Sequence, residues 1–562
     1  MITHPRSARN ISAALALAAL SLTAAFAAPA QDALSRAMRD ELDRTTTQLK
    51  LEKNAPPYFV AYRVQDTRTA LVEASFGRIT ARDRELAHER NAIVELRVGS
   101  PAFDQTNLLL NYGHELDGPL YTTKLPLDDN YVELRRQFWL LTNGAYMRSL
   151  ALLAKKKAVL QNKTRPDETN DFTVETPKQL ESSAPPLTYD VAATERIARE
   201  LSAMFREFPA IDRSSVTISH KEETEHFLDS EGTTYLRRTC YVAVEVDADT
   251  QAPDGRALLD DFTERAASLD ALPALPQLLT KVRALGARLT ARRGAALIDT
   301  YNGPVLFEGE AAAEVFADNF AENLVAVKRA VVGDPKLAAD MTARENPLMN
   351  KLGARVLPTF LNVTDDPTRR EFAGAPLLCA TPFDDDGVPT RAVDLVVAGR
   401  LKTLLTSRVP SPGLPKSTGS RHGGGPCPTN LLVTAEGGQT AAELKAQLVK
   451  LAQQRGLSYG IVIRRIHPEV VAAKVFLDGH EELLRNVDAD DPSIDAFRDI
   501  VAAGREPVVY HTLMNLSRAA GTPSNEGVSL VVPALLFEEV TLKKEEGEIP
   551  QLPVSRHPYF DK

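Results

Sequence analysis

Residues 301–320 read YNGPVLFEGEAAAEVFADNF, and the fold turns on them. The run PVLF at 304–307 is short and apolar, which predicts a buried strand. Gly309 then turns the chain into a helix that begins near Glu310. Along that helix Ala311, Val315, Leu324 and Val325 can share an apolar face, with Glu314, Asp318 and Glu322 on another. Glu310 and Glu314 lie near the positive end of the helix dipole, so solvated carboxylates are expected there without any further role.

Upstream, residues 32–51 form an amphipathic helix pattern that Pro56 and Pro57 end. Strands are expected at 58–65, 70–76 and 91–98, with Arg78 and Ile79 in a turn. A helix over 128–157 carries a basic face of Arg135, Arg136, Arg148 and Lys155 to Lys157, expected to be solvated. The polar stretch 162–186 reads as a long excursion. Asp190 is the expected N-cap of a helix over 191–208, which Pro209 stops. Strands at 215–219, 226–228 and 233–246 follow, with Ser230, Glu231 and Gly232 as a hairpin turn, and then a helix over 277–293. Beyond residue 320 the chain reads as sheet, interrupted by a helix over 441–454 that Gly456 closes.

Several segments carry a family resemblance. The strand, Gly309 turn and helix at 304–325 resemble the TldD/PmbA proteins. So do NVTDDP at 362–367, DDDGVPT at 384–390 with the hairpin that follows, and GPCPTN at 425–430. The stretch 523–543 resembles the family's closing strand, and the likeness spans residues 214–543. It implies a metallopeptidase or its paired subunit, assembled as two chains around an enclosed cleft. In the peptidase-type members this helix carries His-Glu-x-x-x-His, two imidazoles for a metal and a glutamate as base. Here positions 313–318 read Ala-Glu-Val-Phe-Ala-Asp, so Ala313, Glu314 and Asp318 occupy a degenerate metal-helix position.

The rest of the sequence offers no replacement. Three of the ten histidines, His88, His114 and His480, precede a glutamate, and none has a second histidine four or five residues further on. The family's late cysteine ligand is missing too, since no cysteine follows Cys427. No cofactor is expected, zinc only if ligands from distant positions converge. Asp384, Asp385 and Asp386 lack the alternating oxygens of a calcium loop and read as a polar turn. His422 begins HGGG, but no Gly-x-Ser-x-Gly elbow accompanies it. By resemblance the loop 413–425 borders the cleft. That makes Arg421, His422, Thr429 and Asn430 candidate substrate contacts, Arg421 for a peptide carboxylate and Asn430 for an extended backbone.

Composition limits the partners. The 562 residues are 43% hydrophobic and 25% charged, with a net charge of −9, a poor match to nucleic-acid phosphates. Residues 1–30 hold Arg6 and Arg9, an uncharged apolar run at 11–27, and small residues suited to cleavage after Ala27 or Ala30. A cleaved export signal is expected, with an uncleaved anchor as the competing reading, and no stable membrane span thereafter. Removing the two arginines takes the charge from −9 to −11. Cys240, Cys379 and Cys427 show no metal-ligand spacing and are expected as separate thiols.

The expected fold is α+β in two domains. A signal peptide at 1–30 precedes an N-terminal α/β domain at 31–212, a sheet-rich domain at 213–545 and a tail at 546–562. The expected function is that of a periplasmic or secreted, non-metal-binding subunit in peptide processing, in a homo- or hetero-oligomer with a TldD/PmbA-type subunit. Two alternatives stand beside it: an active metallopeptidase with a non-standard metal site, and a non-catalytic homodimer that binds peptides or envelope components.

Overall fold

The computed structural model describes residues 32–51, 54–110, 119–161, 163–165, 167–343, 345–515 and 525–546. The expected signal segment lies outside them, as does the expected tail beyond residue 546. The fold is α+β: among the described residues, seven α-helices accompany sheets of eight and eleven strands. None of these helices is long and apolar enough to cross a membrane.

The first sheet orders its strands Ala257–Ala266, Thr234–Gln251, Arg213–Asp229, Phe59–Ser75, Ala87–Arg97 and Leu120–Lys124. Its long members are longer than the sequence pattern implies. The stretches 58–65 and 70–76 belong to one strand, because polar Asp66 to Thr69 pair on both flanks, Asp66 with Arg90 and with Thr224. Likewise 215–219 and 226–228 fuse through charged rungs that pair with the next strand, Glu225 opposite Arg237. Arg78 and Ile79 begin the strand Arg78–Arg82 instead of a turn, the turn being Phe76 and Gly77. The sheet also runs across the boundary expected at 212/213, since strands from both sides of it hydrogen-bond as neighbours.

Side-chain alternation divides this sheet's two faces. Val60, Tyr62 and Val64 pack under α1 (Ala33–Gln48) and α2 (Tyr131–Leu160). Val72 and Ala74 pack under α3 (Val191–Ala203) and α4 (Leu275–Arg292). Asp190 caps α3 as expected, accepting the Ala193 N–H at 3.0 Å. The opposite face presents Phe59, Ala61 and Arg63 toward Phe172, Phe383 and Asp385. Within the excursion 162–186, Asp171 and Phe172 are buried and Gln179–Ser183 adds a parallel strand. Lys156 leaves the expected basic face, because Asp171 draws its ammonium inward to 2.8 Å.

The second sheet centres on Asn525–Lys544, flanked by Asn430–Ala435 and Thr300–Phe307, with Tyr459–Arg465 and Val471–Phe476 beyond. The strand Ile500–Asn515 pairs antiparallel with Asn525–Lys544. Helix α5 (Glu310–Asn319) lies in the core of this unit. Short α6 (Pro335–Ala343) follows, and α7 (Ala441–Gln454) opens on a Thr440/Glu443 capping box.

Candidate functional site

The strand-to-helix corner forms as its sequence predicts. Gly309 sits at φ +65° and ψ −133°, a conformation only glycine reaches without strain, and α5 starts at Glu310. The helix surroundings differ from expectation. Ala311 through Ala317 are all buried, Glu314 among them at 3% exposure, so its carboxylate is not a solvated one. Four alanines, at 311–313 and 317, keep the helix surface small, so later strands pack closely against it.

Those strands bring partners. Glu314 Oε2 accepts the Ile466 N–H at 2.6 Å, and its Oε1 accepts the Tyr510 hydroxyl at 3.1 Å. Burial pushes the Glu314 carboxyl up to about 7, against the Ile466 bond and the charges of His467 and Arg465. One turn on, Asp318 Oδ2 lies 2.8 Å from His467 Nε2. That contact raises the imidazole's pKa, with burial acting against it. Glu310 holds Arg465 at 2.6 Å, and Arg465 reaches Asp260 of the first sheet at 2.7 Å.

The positions that would carry zinc do not fit it. Ala313 offers a buried methyl group, Asp318 is engaged by His467, and both Glu314 oxygens already accept hydrogen bonds. Among the described residues, no group of three or more His, Cys, Asp and Glu side chains is arranged to hold a metal ion. The three cysteines are free, with Cys427 buried.

A second cluster lies where the first sheet meets the turn at 384–386 and the hairpin at 421–426. Asp384, Asp385 and Asp386 are at most 5% exposed, so they form a buried ionic turn in place of the expected polar one. Arg63 Nη2 donates to the Asp385 carbonyl at 2.6 Å, and Arg237 pairs with the Asp385 carboxylate at 2.5 Å. Burial opposes the charge on Asp385, but Arg237 and Arg63 hold its carboxyl well below the usual carboxylate range. Asp384 accepts the Arg421 backbone N–H at 3.1 Å but no guanidinium, and burial together with Asp386 raises it to about 7.

Two of the four candidate contact residues, Arg421 and His422, lie at this cluster, and Thr429 and Asn430 lie against the segment 365–369 instead. Arg421 pairs with Glu95 at 2.8 Å and with Asp386, so its guanidinium is committed inside the protein. Glu95, itself buried, is held down to about 2 by Arg421 and Arg97. His422 Nδ1 stands 3.8 Å from Asp385 Oδ1, while its Nε2 is buried without a hydrogen-bond partner. Thr429 N–H donates to Asp365 at 2.9 Å. Asn430 donates to the Asp366 and Arg369 carbonyls at 3.1 and 2.7 Å, leaving its Oδ1 unpaired. Sequence reading missed His467, Tyr510, Arg63, Glu95 and Arg237. The charged rungs 221–225 inside an otherwise strand-like stretch were the one available signal, since buried strand charges need partners.

Comparison with known proteins follows the same geometry. Residues 300–544 match the model of the PmbA/TldA metallopeptidase C-terminal domain. Residues 300–544, somewhat under half of the chain, thus carry a C-terminal domain of the TldD/PmbA type. A search of curated protein sequences returned no match. TldE from Thermococcus kodakarensis shares the fold at a TM-score of 0.56 and 13% identity, over 91% of this chain and 99% of that one. A Thermotoga maritima protein named as a candidate modulator of DNA gyrase superposes at 0.56 and 15% identity, over 86% and 96%. A Bacteroides thetaiotaomicron protein named in the same way gives 0.57 and 12%, over 91% and 98%.

Proposed function

We propose that this TldD/PmbA protein is an exported, non-metal-binding subunit of a metallopeptidase-like assembly that processes peptides. The observation that carries the reading is the state of α5. Its scaffold stands where a metal helix would, yet Ala313 is an enclosed methyl and Asp318 is tied to His467. A subunit of this kind contributes walls instead of a metal. The loop from 413 to 430, with His422 as its polar contact, is the wall assigned to extended peptide, and a His-Glu-x-x-x-His subunit is the partner that supplies the metal.

The test begins with the full chain expressed in its exporting host, without metal-binding tags. Cleavage before Ala28 or Gln31, metal far below one equivalent and no peptidase activity alone are expected. Turnover should appear on mixing with a His-Glu-x-x-x-His relative from the same host. Stoichiometric zinc, lost with activity on chelation, would overturn the reading in favour of a non-standard metallopeptidase. A homodimer that binds peptide without turnover, with or without such a relative, would overturn it in favour of a binding protein.

A further inference from the structure

Helix α2 is apolar on two opposite faces. Leu134, Phe138, Leu141 and Ala145 turn inward onto the first sheet. On the other side Val132, Leu140 and Met147 point outward, 73%, 45% and 57% exposed, and Trp139 flanks them at 44%. Their spacing keeps them on one side of a helix with 3.6 residues per turn. Gly144, Ala151 and Ala154 extend the strip as small exposed residues toward the C-terminal end. The outward face of a helix packed on a sheet is ordinarily polar, so an apolar strip there marks a contact surface.

Charge identifies what covers it. Arg148, Lys155 and Lys157 border the strip and are exposed, and none of them has an acidic partner among the described residues. Arg148 lies instead over the Tyr121 ring at 4.5 Å. The helix's one carboxylate, Glu133, is neutralised by Arg136 at 2.7 Å. A chain of net charge −9 thus carries one apolar strip edged with free cations. Protein interfaces are depleted of lysine. A bilayer surface accepts both features: Trp, Leu and Met enter among the headgroups, and long basic side chains reach up to the phosphates.

The start of the chain lies at the same place. The apolar run 11–27 leads into the described structure at Asp32, just ahead of α1. Arg36, in the first turn of α1, stacks over the ring of Tyr131, the first residue of α2, at 4.0 Å. Leu127, 48% exposed, precedes that same end of α2. The segment whose sequence suits a membrane therefore joins the fold beside the outward strip.

We infer that the outward face of α2 docks on an anionic phospholipid bilayer, with the helix lying along the surface. Trp139, Leu140 and Met147 enter the headgroup layer, and Arg148, Lys155 and Lys157 meet lipid phosphates. The inference is independent of the peptide-processing reading.

Fluorescence titration of the mature chain, as its host exports it, tests this. Trp139 is the chain's single tryptophan, so its emission reports this face alone. Vesicles of equal parts phosphatidylcholine and phosphatidylglycerol should shift that emission to shorter wavelength and co-sediment the protein, with an affinity at least tenfold above that for pure phosphatidylcholine. Leu140→Glu combined with Met147→Glu should abolish the shift. Lys155→Glu combined with Lys157→Glu should weaken binding at least tenfold. All four side chains are exposed, so neither pair of changes disturbs the core. No shift, equal affinity for the two kinds of vesicle, or undiminished binding in either folded double variant would overturn the proposal. So would a shift that grows with protein concentration in the absence of vesicles, matched by a dimer in analytical ultracentrifugation, which would give the face to a second copy of the chain. A retained segment 1–30 would hold the protein on vesicles of either kind without moving the Trp139 emission, so the two modes of attachment read differently.

Discussion

Two buried acidic clusters in this molecule meet the same problem in opposite ways. In the turn at 384–386, buried carboxylates are met by arginines from the first sheet and from the short hairpin at 421–426: Arg63 and Arg237 on Asp385, Arg421 on Asp386. On α5, Glu314 is as deeply buried, but its contacts are an N–H and a hydroxyl. Asp385 keeps its charge where Glu314 is pushed towards losing it: Asp385 is driven well down and Glu314 rises to about 7, as does Asp384, which has no paired guanidinium. Burial alone therefore does not set the state of a carboxyl; the formal charge of its nearest partner does.

The largest expected effect breaks the compensated cluster. Arg421→Met should leave Glu95 and Asp386 buried without their shared cation, costing about 3–5 kcal/mol. Urea unfolding measures this, and adding Glu95→Gln should restore part of the loss. A loss near zero would mean that water screens the cluster and that the contrast with α5 is false.

Asp385 and Glu314 should also respond to pH with opposite sign. Asp385 has a depressed pKa, so its contribution is present above the unfolded value and is lost as pH falls through the folded one. Glu314 has a raised pKa, so its contribution is complete below its ordinary 4.5 and is lost as pH rises through about 7. That loss amounts to at most about 3 kcal/mol. Glu314→Gln keeps an acceptor for Ile466 and a group to meet Tyr510 without the charge. Its melting temperature should decline less than the parent's between pH 5 and 8, and should exceed the parent's at pH 8. Parallel curves for the two proteins would remove Glu314 from the account.

The corner that places α5 tests the scaffold on which the comparison rests. A Cβ added at Gly309 would have open space, its nearest neighbour being the Arg464 carbonyl oxygen at 3.8 Å, so Gly309→Ala isolates backbone strain. It should cost about 1–3 kcal/mol in chemical denaturation. A neutral result would show that the turn relaxes without disturbing the helix.

Local signals were legible in the sequence and distant pairings were not. The Gly309 corner, the α3 cap at Asp190 and the helix over 441–454 depend on residues within a few positions of one another, and each forms as read. The α+β class and the family resemblance came from the order of such segments. The burial of Glu314 depends on Ile466 and Tyr510, 152 and 196 positions away, and nothing in a helix pattern announces them. The turn at 384–386 looked like solvent-facing polarity for the same reason, since its arginines Arg63 and Arg237 lie on first-sheet strands. Polar interruptions in a strand pattern were misleading in a regular way. Asp66 to Thr69 and Lys221 to Glu225 split two strands on paper, although both stretches are fully paired rungs.

The smallest effect sharpens the contrast within α5 itself. Asp318 and His467 sit one turn from Glu314, but their side chains are 45% and 62% exposed. Water and salt screen such a pair, so His467→Ala should change stability by less than about 1 kcal/mol. The imidazole's raised pKa means that its pairing is present below the ordinary histidine value and fades as pH rises past the folded one. The effect should therefore be measurable at pH 6, shrink by pH 8.5 and weaken in high salt. If His467→Ala instead moved the Glu314 transition by a full pH unit, the exposed pair and the buried carboxyl would titrate as one group. The α5 cluster would then owe its poise to His467 as much as to burial.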